Sequence, residues 1–262
     1  MSKLELAFLH IPKTAGTSLR RKLNHAYGRD KVFWIGVDCD SSTTKYPEQT
    51  VDGRPIIGGH RGISFYPEHL GPIYCSVLRD PLARAISLFA YYTRPDLAKT
   101  EGQIRERKKQ LARMLASGIE PDSLLRSIEN CRPFRAAISN QQCRFLSRGN
   151  ATAADTLATL SRVDVMLGVM SRYDVFYREL SELLDWEKTE AASLNRGKED
   201  YASEYMSDGT ALELIAELNA EDQKLLNHIN DNHEGFYSNL VRSQPDIRLH
   251  RLKNQLRNRS GD

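Results

Sequence analysis

A chain of 262 residues suits one large α/β domain, or one domain with helical additions. Hydrophobic residues at 40% and charged residues at 27% are ordinary for a globular protein that buries a full core. A formal net charge of +3 excludes a molecule that attracts polyanions as a whole, so no nucleic-acid partner is expected, although a local basic patch is allowed.

No apolar run approaches the ~18–20 residues needed to cross a bilayer. Leu4 to Ile11 is apolar but short, contains Glu5 and runs straight into a loop, so it reads as neither signal peptide nor anchor. Cys39, Cys75, Cys131 and Cys143 form no CxxC pair and no metal-site spacing. They read as reduced thiols of a cytoplasmic protein. Cys131 and Cys143 are close enough in sequence to meet across a short loop, and their pairing is left open.

Leu4 to Ile11 reads as a mostly buried strand, and Pro12 to Gly16 as a loop. Thr17 or a neighbour caps the next helix, whose apolar stripe is Leu19, Leu23, Ala26 and Tyr27. Gly28 is its stop. Lys31 to Gly36 reads as a second strand, and Asp38 to Asp52 as polar turns. Pro55 to His60 reads as a short strand ending in a glycine-lined loop. Ile73 to Leu78 is another buried strand, closed by Arg79-Asp80-Pro81. Pro81 sits in the first turn of a helix, where its missing N–H costs little. Leu82, Ile86 and Phe89 form that helix's inner face.

From Lys99 to Arg148 the pattern is helical and basic, densest at Arg105, Arg107, Lys108, Lys109 and Arg113. Val163 to Val169 is a strand. Arg172 to Trp186 is an amphipathic helix with Phe176, Leu180, Leu183 and Leu184 inward. Ser193 to Ser207 is loop-like. Thr210 to Leu218 and Glu221 to Phe236 read as closing helices. Residues 1–240 form the domain, and 241–262 a basic tail. Strands alternating with helices imply a mostly parallel sheet flanked by helices. Ligands of such sheets bind at the carboxyl ends of the strands.

The strongest signal is His10-Ile11-Pro12-Lys13-Thr14-Ala15-Gly16-Thr17-Ser18. A buried strand delivers the chain to a tight loop, and the loop opens a helix whose first N–H groups lack partners. Those groups and the helix dipole favour an anion. Gly16 lets the backbone approach it. Lys13 adds charge, and Thr14, Thr17 and Ser18 add hydroxyls. The order of residues is not GxxxxGK[ST], because the lysine precedes the glycine. The plain alternative is a loop that only caps a helix.

A second segment, Val77-Leu78-Arg79-Asp80-Pro81-Leu82-Ala83-Arg84-Ala85-Ile86-Ser87, places an arginine at a strand end and a serine on the following helix. Arg84, Ser87 and Tyr91 share one helix face. Arg79 and Ser87 are placed to grip one phosphate from two sides, a task that suits arginine's planar fork. The plain alternative is a surface Arg79–Asp80 pair and a solvated serine.

HIPKTAGTS followed by LRDPLARAISLF resembles the sulfotransferases that use 3′-phosphoadenosine 5′-phosphosulfate (PAPS). It is most similar to the branch of Golgi carbohydrate enzymes and their bacterial relatives, the uronyl 2-O-sulfotransferase type. The similarity is specific over residues 8–20 and 77–91, and looser over 55–66 and 163–180. The segment 99–150 and the tail carry none. It implies a P-loop-like α/β fold, and PAPS as co-substrate with 3′-phosphoadenosine 5′-phosphate as product. It implies Pro12, Lys13, Thr14, Ala15, Gly16, Thr17 and Ser18 around the phosphosulfate. Arg79 and Ser87 then hold the 3′-phosphate, and a late loop of Arg196, Gly197 and Lys198 closes over the nucleotide. No metal is implied. A bacterial, cytoplasmic protein with a hydroxyl-bearing acceptor follows, a glycan being favoured over lipid, metabolite or protein tyrosine.

Among seven histidines, none shows zinc-site spacing. His10 sits at a strand end and reads as packing. His60, in Gly58-Gly59-His60-Arg61-Gly62, lies on the ligand edge of the sheet. It matches the catalytic histidine that the similar enzymes carry in a Gly-His loop, so His60 is the expected base and Lys13 the expected electrostatic catalyst. Gly58 and Gly59 are expected to leave that loop mobile. The basic run at 105–113 either lines a groove for an acidic acceptor or is a solvated helix face. Two rivals remain: a kinase-like phosphoryl transferase needing Mg²⁺, and a non-catalytic polyanion-binding module.

Overall fold

Short apolar runs and the loop after the first of them become sheet and helix in the expected order. The computed structural model describes residues 4–36, 38, 46, 54–98, 101–184 and 205–240. The strands are β1 (Leu6–Leu9), β2 (Val32–Trp34), β3 (Ile56–Gly59), β4 (Ile73–Leu78), β5 (Val165–Val169) and β6 (Phe236–Asn239). Helix α1 (Gly16–Tyr27) follows β1, α2 (Pro81–Thr93) follows β4, and α8 (Tyr173–Leu184) follows β5. Between α2 and β5 the chain inserts α3 (Glu101–Leu115), α4 (Leu124–Asn130), α5 (Arg132–Ile138), α6 (Gln141–Leu146) and α7 (Ala153–Leu160). Helices α9 (Gly209–Leu218) and α10 (Ala220–His233) close the domain. Among the described residues no helix is long and apolar enough to cross a membrane.

The six strands lie in the order β2-β3-β1-β4-β5-β6. All neighbours are parallel except the β5–β6 pair. This is an α/β fold with a mostly parallel sheet flanked by helices. After β1 the chain moves outward to β2; after β4 it moves the other way to β5. Because β1 and β4 are neighbours, a crevice opens between their carboxyl ends, where open parallel sheets hold ligands.

Side chains of β1 alternate between the two faces, as a strand dictates. Leu6 and Phe8 pack with Leu19 and Leu23 of α1 and with Phe176 and Leu180 of α8. Ala7 and Leu9 pack with Leu146, Leu160, Leu225 and Ile229 on the opposite face. A third cluster joins α2, α4, α5 and α9 through Phe89, Ile128, Phe134 and Ile215. Each such large side chain, once buried, contributes roughly 1.5–3 kcal/mol. Gly168 admits α8 to the sheet, since a Cβ there would run into the Phe176 ring.

Several expectations are corrected. No side chain caps α1; Ala15 occupies the cap in a left-handed conformation. Ala26 faces solvent, and Leu82 is only partly buried. The last helix stops at His233 because Glu234 and Gly235 turn left-handed, and the Gly235 N–H returns to the Ile229 carbonyl at 3.1 Å. Phe236 therefore opens an edge strand. Cys131 and Cys143 are buried free thiols. Helix α7, unread in the sequence, is capped by Thr152, whose Oγ1 accepts from the Asp155 N–H at 3.1 Å. Arg196, Gly197, Lys198 and the tail 241–262 lie outside the described residues.

Candidate active site

The loop between β1 and α1 turns left-handed at two non-glycine residues, Lys13 (φ 73°) and Ala15 (φ 64°). Such residues cost about 1–3 kcal/mol each and persist only where the surroundings fix them. Here Thr14, fully buried, donates its Oγ1–H to the Ile11 carbonyl at 2.9 Å. Arg79, at the end of β4, donates from Nη1 to the Lys13 carbonyl at 3.1 Å. The Ser18 N–H turns back to the Ala15 carbonyl. Among the described residues no acceptor takes the N–H groups of Ala15, Gly16 or Thr17, and the first turn of α1 carries no acid. These donors, the helix dipole and Lys13 form an end whose chemistry suits an anion.

The sequence motifs thus meet at the switch point. Lys13 and Arg79 come together directly. Ser87 is buried on α2, and Tyr91 on the same helix takes the Lys13 ammonium over its ring, 4.7 Å from the centroid. Thr14 is turned inward and spends its proton on the loop. Thr17 is exposed, Ser18 buried and Pro12 half-buried. Burial first, then the charges of Arg107 and Arg79, lower the Lys13 ammonium to about 8.

Arg79 owes its placement to a residue that the sequence did not single out. The fully buried Gln142 accepts the Arg79 N–H at 2.8 Å and donates to the Arg79 carbonyl at 2.9 Å. The amide extends β4 by one rung from the side of α6. The start of α6 is held in turn by Asp222, whose two carboxylate oxygens accept the Gln142 and Cys143 N–H groups at 3.0 and 2.8 Å. Asn140 closes the loop by accepting the Glu221 and Asp222 N–H groups at the start of α10. Arg84, fully buried, donates to the Ala137 and Ile138 carbonyls at 3.3 and 2.8 Å and ties α2 to the end of α5. Replacing Gln142 with Met keeps the volume but removes the partner that Gln142 gives to both backbone groups of Arg79. An unpaired buried group costs ~1–3 kcal/mol, so a loss of about 2–4 kcal/mol is expected by urea unfolding. A loss within 0.5 kcal/mol, on the order of an ordinary surface change, would contradict the clamp.

His60 stands just beyond β3. Its Nδ1–H donates to the His10 carbonyl at 2.8 Å, the only sense in which a ring nitrogen and a carbonyl can pair. Nε2 then carries the free lone pair. The ring stacks on His10 at 4.1 Å between centroids, with 29° between planes. Its outer edge is exposed, but its inner surroundings still remove enough hydration to lower its pKa. Loss of hydration is the main cause, with Arg61, Arg20 and Lys13 adding to it, and the bond to the His10 carbonyl opposing it. His10 is buried against Phe8 and Trp34, and burial holds it well below the usual histidine value.

The glycines serve packing here. A Cβ on Gly16 would run into the His10 ring, and one on Gly58 into the Trp34 indole. Gly58 and Gly59 lie within β3, so the expected mobile loop is instead a strand end that fixes His60.

No family model matches the chain, and no curated protein matches its sequence. Among solved structures the chain is similar to the crystal structure of mouse sulfotransferase SULT7A1 complexed with PAP. The identity is 13% and the TM-score 0.30, over 97% of this chain and 89% of that one. A TM-score of that size equates no two residues.

Proposed function

We propose that the protein is a PAPS-dependent sulfotransferase that places a sulfuryl group on an acceptor hydroxyl, with a glycan as the favoured acceptor. The observation that carries this reading is the bond from Arg79 to the Lys13 carbonyl. It joins two anion-seeking strand ends in one crevice, next to a histidine with a free Nε2. A nucleotide with phosphate at both its 3′ and 5′ positions fits two such ends. The loop N–H groups and Lys13 face the 5′ side, and Arg79 with Ser87 the 3′ side. Arg196, Gly197 and Lys198 are assigned to closure over the nucleotide on the resemblance alone.

His60 Nε2 takes the proton of the acceptor hydroxyl as its oxygen bonds to sulfur. The bond from sulfur to the 5′-phosphate oxygen breaks, and 3′-phosphoadenosine 5′-phosphate leaves. Lys13 and the N–H groups of α1 stabilise the charge that grows on that oxygen, and being fixed beforehand they need no rearrangement. The lowered pKa of His60 favours its neutral ring, the form that accepts a proton.

The test is transfer of label from ³⁵S-PAPS to a panel of glycan, lipid, phenolic and peptide acceptors. Label on at least one hydroxyl acceptor, lost in His60→Ala, is expected. Phosphate transfer from Mg-ATP with no sulfate transfer would support the kinase-like rival instead.

A further inference from the structure

Of the basic run on α3, one residue turns inward. Arg105, Lys108 and Lys109 are exposed, whereas Arg107 is partly buried. Its guanidinium lies 4.9 Å from the centroid of the Tyr91 ring, the same ring that Lys13 covers at 4.7 Å. The two charges are therefore no farther apart than the sum of those distances. That is about one Debye length at physiological salt, and Arg107 is the foremost of the charges that lower the Lys13 ammonium. Arg107 is also held in place, donating from Nη1 to the Arg94 carbonyl at 3.0 Å.

Two like charges held together call for an opposite charge. Among the described residues no carboxylate forms an ion pair with Lys13 or Arg107. Asp96 is within electrostatic reach of Arg107, but Arg94 already grips both of its oxygens. Asp80 spends Oδ1 on the Ala83 N–H. Among the described residues one of the five N–H donors of Arg107 is used on a protein acceptor, which leaves the rest of the fork for a ligand.

We propose that Arg107 is a third cation of the anion site, supplied from α3 to contact the 5′ end of the nucleotide together with Lys13. Tyr91 is the shared platform that sets both cations. The identity of the anion rests on the sulfotransferase reading; the presence of an anion site does not. An anion placed between Lys13 and Arg107 turns their repulsion into two attractions. Affinity should therefore rise with the negative charge delivered there.

The experiment is calorimetry of the full chain with 3′-phosphoadenosine 5′-phosphate and, separately, with inorganic pyrophosphate. Arg107→Gln removes the charge but keeps a donor for the Arg94 carbonyl; Arg107→Lys restores a charge. Arg107→Gln should weaken the nucleotide by on the order of ten- to a hundredfold, the usual range for a charged hydrogen bond. Arg107→Lys should recover part of that loss, and the preference for the 3′-phosphate over AMP should stay intact. A purely structural Arg107 would instead lower the unfolding midpoint of Arg107→Gln and leave affinity alone, which overturns the proposal. Wild-type binding of pyrophosphate but no nucleotide, with pyrophosphate weakened in Arg107→Gln, would sustain the anion site and sink the sulfotransferase reading. Equal affinities of wild type and Arg107→Gln for both probes, or no binding of either by the wild type, would sink the proposal.

Discussion

His60→Ala is expected to lower kcat by about 10²- to 10⁴-fold, the range for loss of a general base, and to leave nucleotide affinity nearly unchanged. The need is chemical: an alcohol is a weak nucleophile, and its proton must leave as the O–S bond forms. The geometry meets that need because the His10 carbonyl holds Nδ1–H at 2.8 Å and leaves Nε2 as acceptor. The pH dependence has a fixed sign. A base works only when neutral, so activity falls as pH drops through its pKa. Burial and neighbouring cations put that pKa below the usual histidine value, so the acid limb of kcat/KM lies below it too. His60→Ala should erase this limb. Near-normal turnover in the variant would move the base elsewhere.

Lys13→Ala is expected to cost about 10²- to 10³-fold in kcat, as the loss of one preorganised donor to a developing anion does. Ground-state affinity should change far less, because the loop N–H groups and Arg79 remain. The charged form of Lys13 is the useful one, and its free-state value is about 8. The wild-type kcat/KM should therefore fall as pH rises through about 8, and the variant should lack that alkaline limb. A variant with normal kcat and only a raised KM for PAPS would make Lys13 a ground-state binder.

Local signals were legible where they act locally. β4 runs from Ile73 to Leu78 as its apolar run suggests, and Pro81 opens α2 as expected, with Asp80 as a cap that the sequence reading does not name. The parallel sheet followed from the alternation of strands and helices, and the loop of Lys13 from its place after the first strand. Two fainter local signals also lie in the sequence. Thr152 and Asp155 carry the spacing of a capped helix start, and Gly235 marks the turn into β6.

The rest lies in long-range contacts that no short window contains. Gln142 meets Arg79 across 63 positions and Asp222 across 80. Arg107 is indistinguishable from Arg105 or Lys109 by charge alone. Only the packing of α3 on α2 turns it toward Tyr91. Gly16 shows the same limit. Its expected task was close approach to an anion, and the structure adds a neighbour, the ring of His10, that no spacing rule reveals.

The central claim is that two phosphates, one at each strand end of the β1–β4 crevice, decide what binds. Calorimetry with 3′-phosphoadenosine 5′-phosphate, AMP and Mg-ATP, in wild type and Arg79→Ala, addresses it most directly. A charged hydrogen bond contributes ~1.5–3 kcal/mol, so the 3′-phosphorylated nucleotide should bind wild type about ten- to a hundredfold more tightly than AMP. Arg79→Ala should erase most of that difference. Equal affinity of the wild type for the 3′-phosphorylated nucleotide and AMP, or tighter binding of Mg-ATP than of either, would contradict it.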